Sequence, residues 1–108
     1  MKPPPDKIGN DAKVIFFTPI DERHEPTGAC RHSHYKDGKQ TVLPPASGLL
    51  ICQYDGMKEC YLFGCDSQWH VQSDTFHDSI EDAMEQAEFE YVGVSKTWTK
   101  KSKNRICS

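Results

Sequence analysis

Residues 30–35 place three side chains of the kind that bind zinc within one short stretch. Cys30, His32 and His34 alternate with other residues, and thiolate and imidazole are common zinc ligands in proteins. In an extended segment this spacing would put all three side chains on one side. Structural zinc sites usually pair their ligands on a turn or helix, and the sequence offers no clear fourth ligand. Two interpretations stay open: a zinc site on this segment, or a loop with solvated histidines.

A second group of zinc-type side chains lies in the strand-like half of the chain and comprises Cys52, Cys60, Cys65 and His70. The hairpin predicted below places Cys52 and Cys60 on opposite sides of a sheet, so these two residues cannot bind one ion. The chain has five cysteines, an odd number, and no recognisable export signal. Free, buried thiols are therefore the expected state.

The strongest charge pattern lies in residues 74–91, which carry seven acids and no Lys or Arg. A basic stretch follows, because residues 95–108 hold five cations and no acid. Such a tail could contact nucleic-acid phosphates. The net charge of −3 argues against nucleic acid as the partner, and a solvated tail is the favoured interpretation.

Phe89 lies in an unexpected position within the acidic stretch. An apolar stripe at helical spacing is formed by Ile80, Ala83, Met84, Ala87 and Tyr91. Phe89 falls about 180° away from this stripe, among Asp82, Glu85 and Gln86. This aromatic residue is either an anchor for a basic, partly apolar partner, or it is covered by residues 92–98, with Trp98 packed on it.

Sequence motifs for catalysis are absent. The chain has no phosphate-binding loop and no nucleophile motif. His70 and His77 flank Asp74, but a histidine near an aspartate at a strand end is commonplace. We therefore expect a protein that is not an enzyme, and we assign no catalytic residue.

A β-hairpin is predicted around Asp55-Gly56, which separates the apolar runs 48–54 and 57–63. Both residues of such a turn must accept positive φ, and Asp-Gly does so readily. A two-residue loop would pair Cys52 with Glu59. One side of this hairpin would carry Leu49, Ile51, Cys60 and Leu62.

A third strand and a helix are predicted to follow. Residues 69–73 alternate apolar and polar side chains, and Ser79 is a good N-cap for a helix that Gly93 would end. A further short strand is expected at 13–18. The predicted fold class is α+β: a small antiparallel sheet of three to four strands, arranged as a meander, with one main helix packed on one face.

The 108 residues are expected to form one domain. We predict a disordered N-terminus at 1–11, a single α+β domain at 12–94 with an irregular loop at 19–47, and a basic tail at 95–108. No apolar run reaches the roughly 20 residues needed to cross a bilayer, and the N-terminus does not read as a signal peptide. The expected location is the cytoplasm, without a membrane partner.

Four short motifs occur in order within residues 48–91: Asp55-Gly56, Gly64-Cys65, Asp74-Thr75 and Glu81-Asp82-Ala83. In this arrangement the stretch resembles the small antitoxin domain of the HicB type. It is also similar to small bacterial proteins with the pattern W…DT(W/F)H…EDA…QAEFEY. The resemblance implies a small interaction protein and places no residue in a catalytic role.

The sequence therefore predicts a non-enzymatic protein-binding module, antitoxin- or immunity-like, that binds a basic protein. The predicted binding residues are Asp82, Glu85, Gln86 and Phe89. Opposed charges would speed association more than they raise affinity. The alternative is a metal-binding protein that uses zinc at Cys30, His32 and His34; no other cofactor is expected. Unpaired sheet edges leave a homodimer open.

Overall fold

The computed structural model describes residues 3–9, 11–26, 33–36, 39–42 and 45–101, with the backbone alone for 33–36 and 39–42. The strands in these ranges are β1 Lys7–Ile8, β2 Ala12–Pro19, β3 Glu25–Pro26, β4 Ser33–Lys36, β5 Lys39–Val42, β6 Gly48–Gln53, β7 Cys60–Cys65, β8 Val71–His77, β9 Tyr91–Val92 and β10 Thr99–Lys100. The α-helix α1 spans Ile80–Glu90, and a 3-10 turn spans Val94–Lys96.

Six of these strands form the central antiparallel sheet. β2, β6, β7 and β8 are neighbours in that order, and β1 and β10 both pair with the outer edge of β2. Two small ladders lie outside this sheet, one of β3 with β9 and one of β4 with β5. The prediction of a small sheet of three to four strands is therefore wrong. The fold is α+β with a larger sheet, because short segments near both chain ends extend the meander beside β2.

Several short strands lie in segments where the sequence pattern indicated none. β3, β4 and β5 fall within residues 19–47, β1 falls within 1–11, and β10 falls within 95–108. Strands of two to four residues are too short to show a clear alternation of side chains. The prolines and glycines around them therefore dominated the local pattern.

The predicted hairpin is formed by β6 and β7, with a longer connection than expected. Cys52 lies opposite Tyr61 rather than Glu59, because residues 54–59 connect the strands. In this connection Gly56 has φ 80°, and the Met57 N–H donates to the Tyr54 carbonyl at 3.2 Å. The register differs by two positions, an even number, so the residues of the predicted hairpin that lie in β6 and β7 keep their predicted sides of the sheet.

Each face of the central sheet carries its own core. The helix-side core is made by Leu49, Ile51, Cys60, Leu62, Ala83, Ala87, Tyr91 and Val94. The far-side core is made by Ala12, Val14, Leu50, Cys52, Phe63, Cys65 and Trp69. A bulge in β2 between Val14 and Phe16 changes the alternation of that strand. As a result Phe16 packs with the helix-side core, whereas Phe17 packs with the far-side core.

The start of α1 confirms the prediction from the sequence. Ser79 is the N-cap, and its Oγ accepts a hydrogen bond from the Asp82 N–H at 3.1 Å. Glu81 and Asp82 occupy the first turn, where the helix dipole favours negative charge. The helix ends at Glu90, before β9, and Gly93 instead starts the 3-10 turn with φ 104°.

Candidate functional site

The acidic helix surface, as we define it, comprises the four predicted residues Asp82, Glu85, Gln86 and Phe89. The helix buries Ala83 and Ala87 in the helix-side core, and helical spacing turns the four predicted residues away from it. Asp82, Glu85 and Phe89 are exposed, whereas Gln86 is partly buried. The structure therefore places Asp82, Glu85 and Phe89 on the outward side of α1, whereas Gln86 lies at its flank, where its Nε2 donates to the Glu90 carboxylate at 2.8 Å.

Phe89 keeps most of its surface in contact with solvent, with an exposed fraction of 59%. Trp98, which we considered as its cover, packs against the helix-side core. The Trp98 Nε1 is buried without a hydrogen-bond partner in the described part of the chain. Val92, three positions after Phe89, is 49% exposed. The chain thus leaves apolar surface open beside the acids of α1.

Glu88 stabilises the turn that follows the helix. Its two carboxylate oxygens accept the N–H groups of Gly93 at 2.9 Å and Ser95 at 3.0 Å. These hydrogen bonds favour the charged form and hold the pKa of the carboxyl below its ordinary value. A Cβ at position 93 would lie 2.9 Å from the Arg23 carbonyl oxygen, so the turn requires glycine. Glu88 is therefore a structural acid within the acidic stretch.

Most of the predicted zinc residues lie outside the described residues. This holds for Cys30 and His32, and His34 lies in β4, for which only the backbone is described. Among the side chains that are described, no three His, Cys, Asp or Glu residues are grouped so that they could hold a metal ion. Zinc binding at residues 30–34 stays a prediction, which the melting temperature of tag-free protein with and without Zn²⁺ would test.

The cysteines of the central sheet lie in two separate cores. Cys52 and Cys65 belong to the far-side core and Cys60 to the helix-side core, so the prediction that Cys52 and Cys60 lie on opposite sides of the sheet is confirmed. Burial raises the pKa of Cys52 and Cys65 to about 12 and that of Cys60 to about 11. At neutral pH these thiols are protonated and are therefore poor nucleophiles.

A chain of hydrogen bonds joins His24, Thr97 and Thr18. The His24 Nε2 lies 2.9 Å from the Thr97 Oγ1, which lies 2.6 Å from the Thr18 Oγ1. These residue types could suggest a nucleophile with its base. However, the His24 Nδ1 accepts the Asp21 N–H at 3.1 Å, so the ring proton lies on Nε2 and is donated to Thr97. In this arrangement Nε2 cannot take a proton from Thr97, and the contacts join the turn after α1 to the end of β2.

A groove of about 610 Å³ lies between the end of β2 and the turn at residues 66–70. Phe17 and Trp69 meet edge to face in its wall, with ring centroids 6.2 Å apart.

Trp69 has φ 68°, which is uncommon for a bulky residue. The Asp66 carboxylate holds this turn by accepting two backbone N–H groups, each at 2.9 Å. Trp69 is only 4% exposed, so the strained turn places its ring in the far-side core.

The aromatic face, as we define it, consists of Tyr54, Tyr61, Phe63 and Phe76 on the far side of the sheet. Tyr61 contacts each of the other three rings, with centroid distances between 5.2 and 5.8 Å. The sequence pattern predicts the third strand at 69–73, whereas β8 spans Val71–His77, so Phe76 was not expected in the sheet and this cluster was missed. The alternation of Asp74 and Phe76 with Thr75 and His77 is the signal that could have revealed it.

Comparison with protein-family models, with curated proteins and with solved structures found no match for this chain. Within the described ranges, no helix has both the length and the apolar character needed to cross a membrane. The function is therefore inferred from the surfaces described above.

Proposed function

We propose that this chain is a non-enzymatic protein-binding module of the antitoxin or immunity type, which binds a basic partner in the cytoplasm through the acidic helix surface. The observation that carries the proposal is the position of Phe89, which is 59% exposed on the outward side of α1. Aromatic residues are enriched at protein interfaces. The resemblance of residues 48–91 to HicB-type antitoxin domains favours a basic toxin or nuclease as the partner.

The charge distribution supports a basic partner. Between residues 59 and 95 the chain has nine acids and no Lys or Arg, and this range includes all of α1 and its flanking strands β8 and β9. A basic protein that approaches α1 therefore meets mostly negative charge, although Lys96 lies close enough to the Glu88 carboxylate to help lower its pKa. Such complementarity raises association rates and helps to exclude wrong partners.

The rigidity of α1 also supports this role. The helix is capped by Ser79 at its start, it packs on the helix-side core through Ala83 and Ala87, and Glu88 stabilises the turn after it. Binding therefore requires little ordering of the helix backbone. A surface that is already ordered loses less entropy when it binds a partner.

A retention experiment with the full-length chain tests this proposal. The wild-type protein and the double variant Glu85→Gln/Phe89→Ala are each immobilised and exposed to the same bacterial lysate. We expect the wild type to retain a basic protein that the variant loses, since the change removes one acid and the exposed aromatic ring. With the purified partner, the dissociation constant should rise by at least about tenfold in the variant and should also rise with salt.

The matched control is the variant Glu22→Gln/Met57→Ala, which also removes one acid and one large apolar side chain. Met57 is 45% exposed and Glu22 is exposed, and both lie outside α1. This control should retain the same basic protein as the wild type. If the Glu85/Phe89 variant, folded as judged by circular dichroism, retains every protein that the wild type retains, the acidic helix surface is not the binding site.

A further inference from the structure

The aromatic face forms an exposed apolar surface on the side of the sheet opposite α1. Tyr61 is stacked on Phe63 at an interplanar angle of 7°, and it meets Phe76 at a centroid distance of 5.2 Å. Phe76 is 52% exposed and Tyr54 is 38% exposed. Contiguous exposed apolar surface of this kind is typical of interaction sites.

The strand β8 gives this surface a hydrogen-bonding edge. In the strand order of the described residues, β8 is the terminal strand of the central sheet and pairs with β7. The alternate backbone N–H and C=O groups of a terminal strand point away from the sheet and can pair with another extended chain. Phe76 lies directly opposite Tyr61 in the register, so a strand added beside β8 would extend the row of these two rings.

The charge of this edge indicates what kind of chain it would accept. Asp74 lies opposite Phe63 in the register, on the far side with Phe76, and it is exposed. Asp78 follows the strand and is also exposed. No Lys or Arg occurs between residues 59 and 95, a range that holds all of β8 and its neighbour β7, which argues against nucleic acid beside this edge. Two copies joined face to face would bring their acids together, which argues against a second copy.

We propose that β8 accepts an extended segment of a basic partner as an additional strand, with cationic side chains on the far side and small or β-branched side chains on the helix side. An arginine opposite Phe76 would lie over the Phe76 and Tyr61 rings in a cation–π contact. A second cation would pair with the Asp74 carboxylate. On the other side of the sheet, Thr75 and His77 are partly buried and would suit valine or threonine neighbours.

This proposal does not depend on the acidic helix surface, because α1 covers the opposite side of the sheet. The aromatic face and β8 could bind such a segment whether or not α1 binds a partner. Variants in β8 and variants in α1 therefore distinguish the two proposals.

The experiment measures binding of the full-length protein to a fluorescein-labelled peptide in which arginine alternates with valine and threonine, followed by fluorescence anisotropy. We expect saturable binding that weakens with salt. In the double variant Phe76→Ala/Asp74→Asn the affinity should fall by at least about tenfold. The matched control, Glu22→Gln/Met57→Ala, also removes one acid and one large exposed apolar side chain, lies outside both the aromatic face and α1, and should bind the peptide like the wild type.

Two N-methylated peptides test whether the bound segment is an added strand. Alternate N–H groups of an extended chain point in opposite directions, so methylation of one alternate set blocks pairing with β8 and methylation of the other set does not. We expect one of these isomers to lose binding and the other to keep it. If both isomers bind as well as the parent peptide, or if neither binds, the peptide does not pair with this edge and the proposal is wrong.

Three further outcomes would overturn the proposal. The first is equal peptide affinity in the wild type and the folded Phe76/Asp74 variant. The second is tighter binding of a single-stranded oligonucleotide than of the peptide. The third is a Phe76-dependent dimer that does not bind the peptide. If the double variant fails to fold, the single change Asp74→Asn decides the question, because it alters an exposed charge without removing packing. Its affinity for the peptide should be lower by about threefold, and an unchanged affinity would contradict the proposal.

Discussion

The helix-side and far-side faces of the central sheet are buried to the same extent at β6 and to different extents at β8. At β6, Ile51 on the helix side and Leu50 on the far side are both fully buried. At β8, Thr75 on the helix side is partly buried, whereas Phe76 on the far side is 52% exposed. The helix α1 packs against β6, β7 and β8 on one side only. Burial at β8 therefore depends on which element lies over the strand, and not on how apolar the strand is.

This difference also separates two kinds of surface. Over the helix-side face, the protein presents the outward side of α1, which is acidic and carries the exposed ring of Phe89. On the far-side face it presents the aromatic face itself, beside the terminal strand β8. Exposed apolar groups are costly to solubility, so a function that uses them would explain why both surfaces keep aromatic residues.

The largest expected effect comes from a core substitution at β6 compared with one at β8. Ile51→Ala should lower the free energy of unfolding by about 2–5 kcal/mol, because it leaves a cavity under α1. Phe76→Ala should lower it by less than about 1.5 kcal/mol, because the ring is 52% exposed and loses little burial. Urea denaturation of both variants measures this difference. Equal losses would mean that the far side at β8 is packed as tightly as the core.

Alkaline pH should lower the free energy of unfolding, because both cores contain buried cysteine thiols. Burial raises the pKa of Cys52 and Cys65 to about 12 and that of Cys60 to about 11, from an ordinary value of 9.0. The folded state therefore holds these protons more tightly than the unfolded state. The resulting stabilisation is complete below pH 9 and is lost as the pH rises through the folded-state values.

Urea denaturation between pH 7 and pH 10 checks this expectation, with Cys30 and Cys107 replaced by serine so that the three core cysteines are the only thiols that titrate. The free energy of unfolding should fall above pH 9. Replacement of Cys65 by alanine should make the fall shallower, since one buried thiol is removed. A free energy that stays constant up to pH 10 would show that the thiols titrate alike in both states.

The smallest loss of stability is expected from a substitution at the start of α1. The local opening that it causes should be confined to the helix side of the sheet. Ser79→Ala removes the N-cap hydrogen bond to the Asp82 N–H and should cost about 1 kcal/mol. The Cys60 thiol donates to the Ser79 carbonyl at 3.3 Å, so loosening of this turn should speed chemical labelling of Cys60 more than that of Cys52. Mass spectrometry of the labelled peptides measures both rates.

The control for this prediction is Ser79→Asp, because aspartate also caps helices well. It should keep both labelling rates near those of the wild type. Equal acceleration of Cys52 and Cys60 in Ser79→Ala would mean that the protein opens as a whole rather than at the helix start.

Local patterns predicted the elements that depend on nearby residues. The Ser79 cap, the acidic outer side of α1 and the hairpin around Asp55-Gly56 could all be identified in the sequence, because capping, helical spacing and turn conformation are set within a few residues. The sides on which Leu49, Leu50, Ile51, Cys52, Cys60, Tyr61 and Leu62 lie were also predicted correctly. The loop length was wrong, but the register moved by an even number of positions, which keeps side chains on the same face.

The sequence by itself thus determined which residues are capped, which alternate and where the charges lie. Only the tertiary structure decided the size of the sheet, because β10 gains its hydrogen bonds from β2, far from it in the chain. It also decided that Phe76 and Tyr61 meet, since this contact depends on the register between β7 and β8. Pairing of distant segments is set by the burial and hydrogen bonding of the whole fold, which a local pattern does not contain.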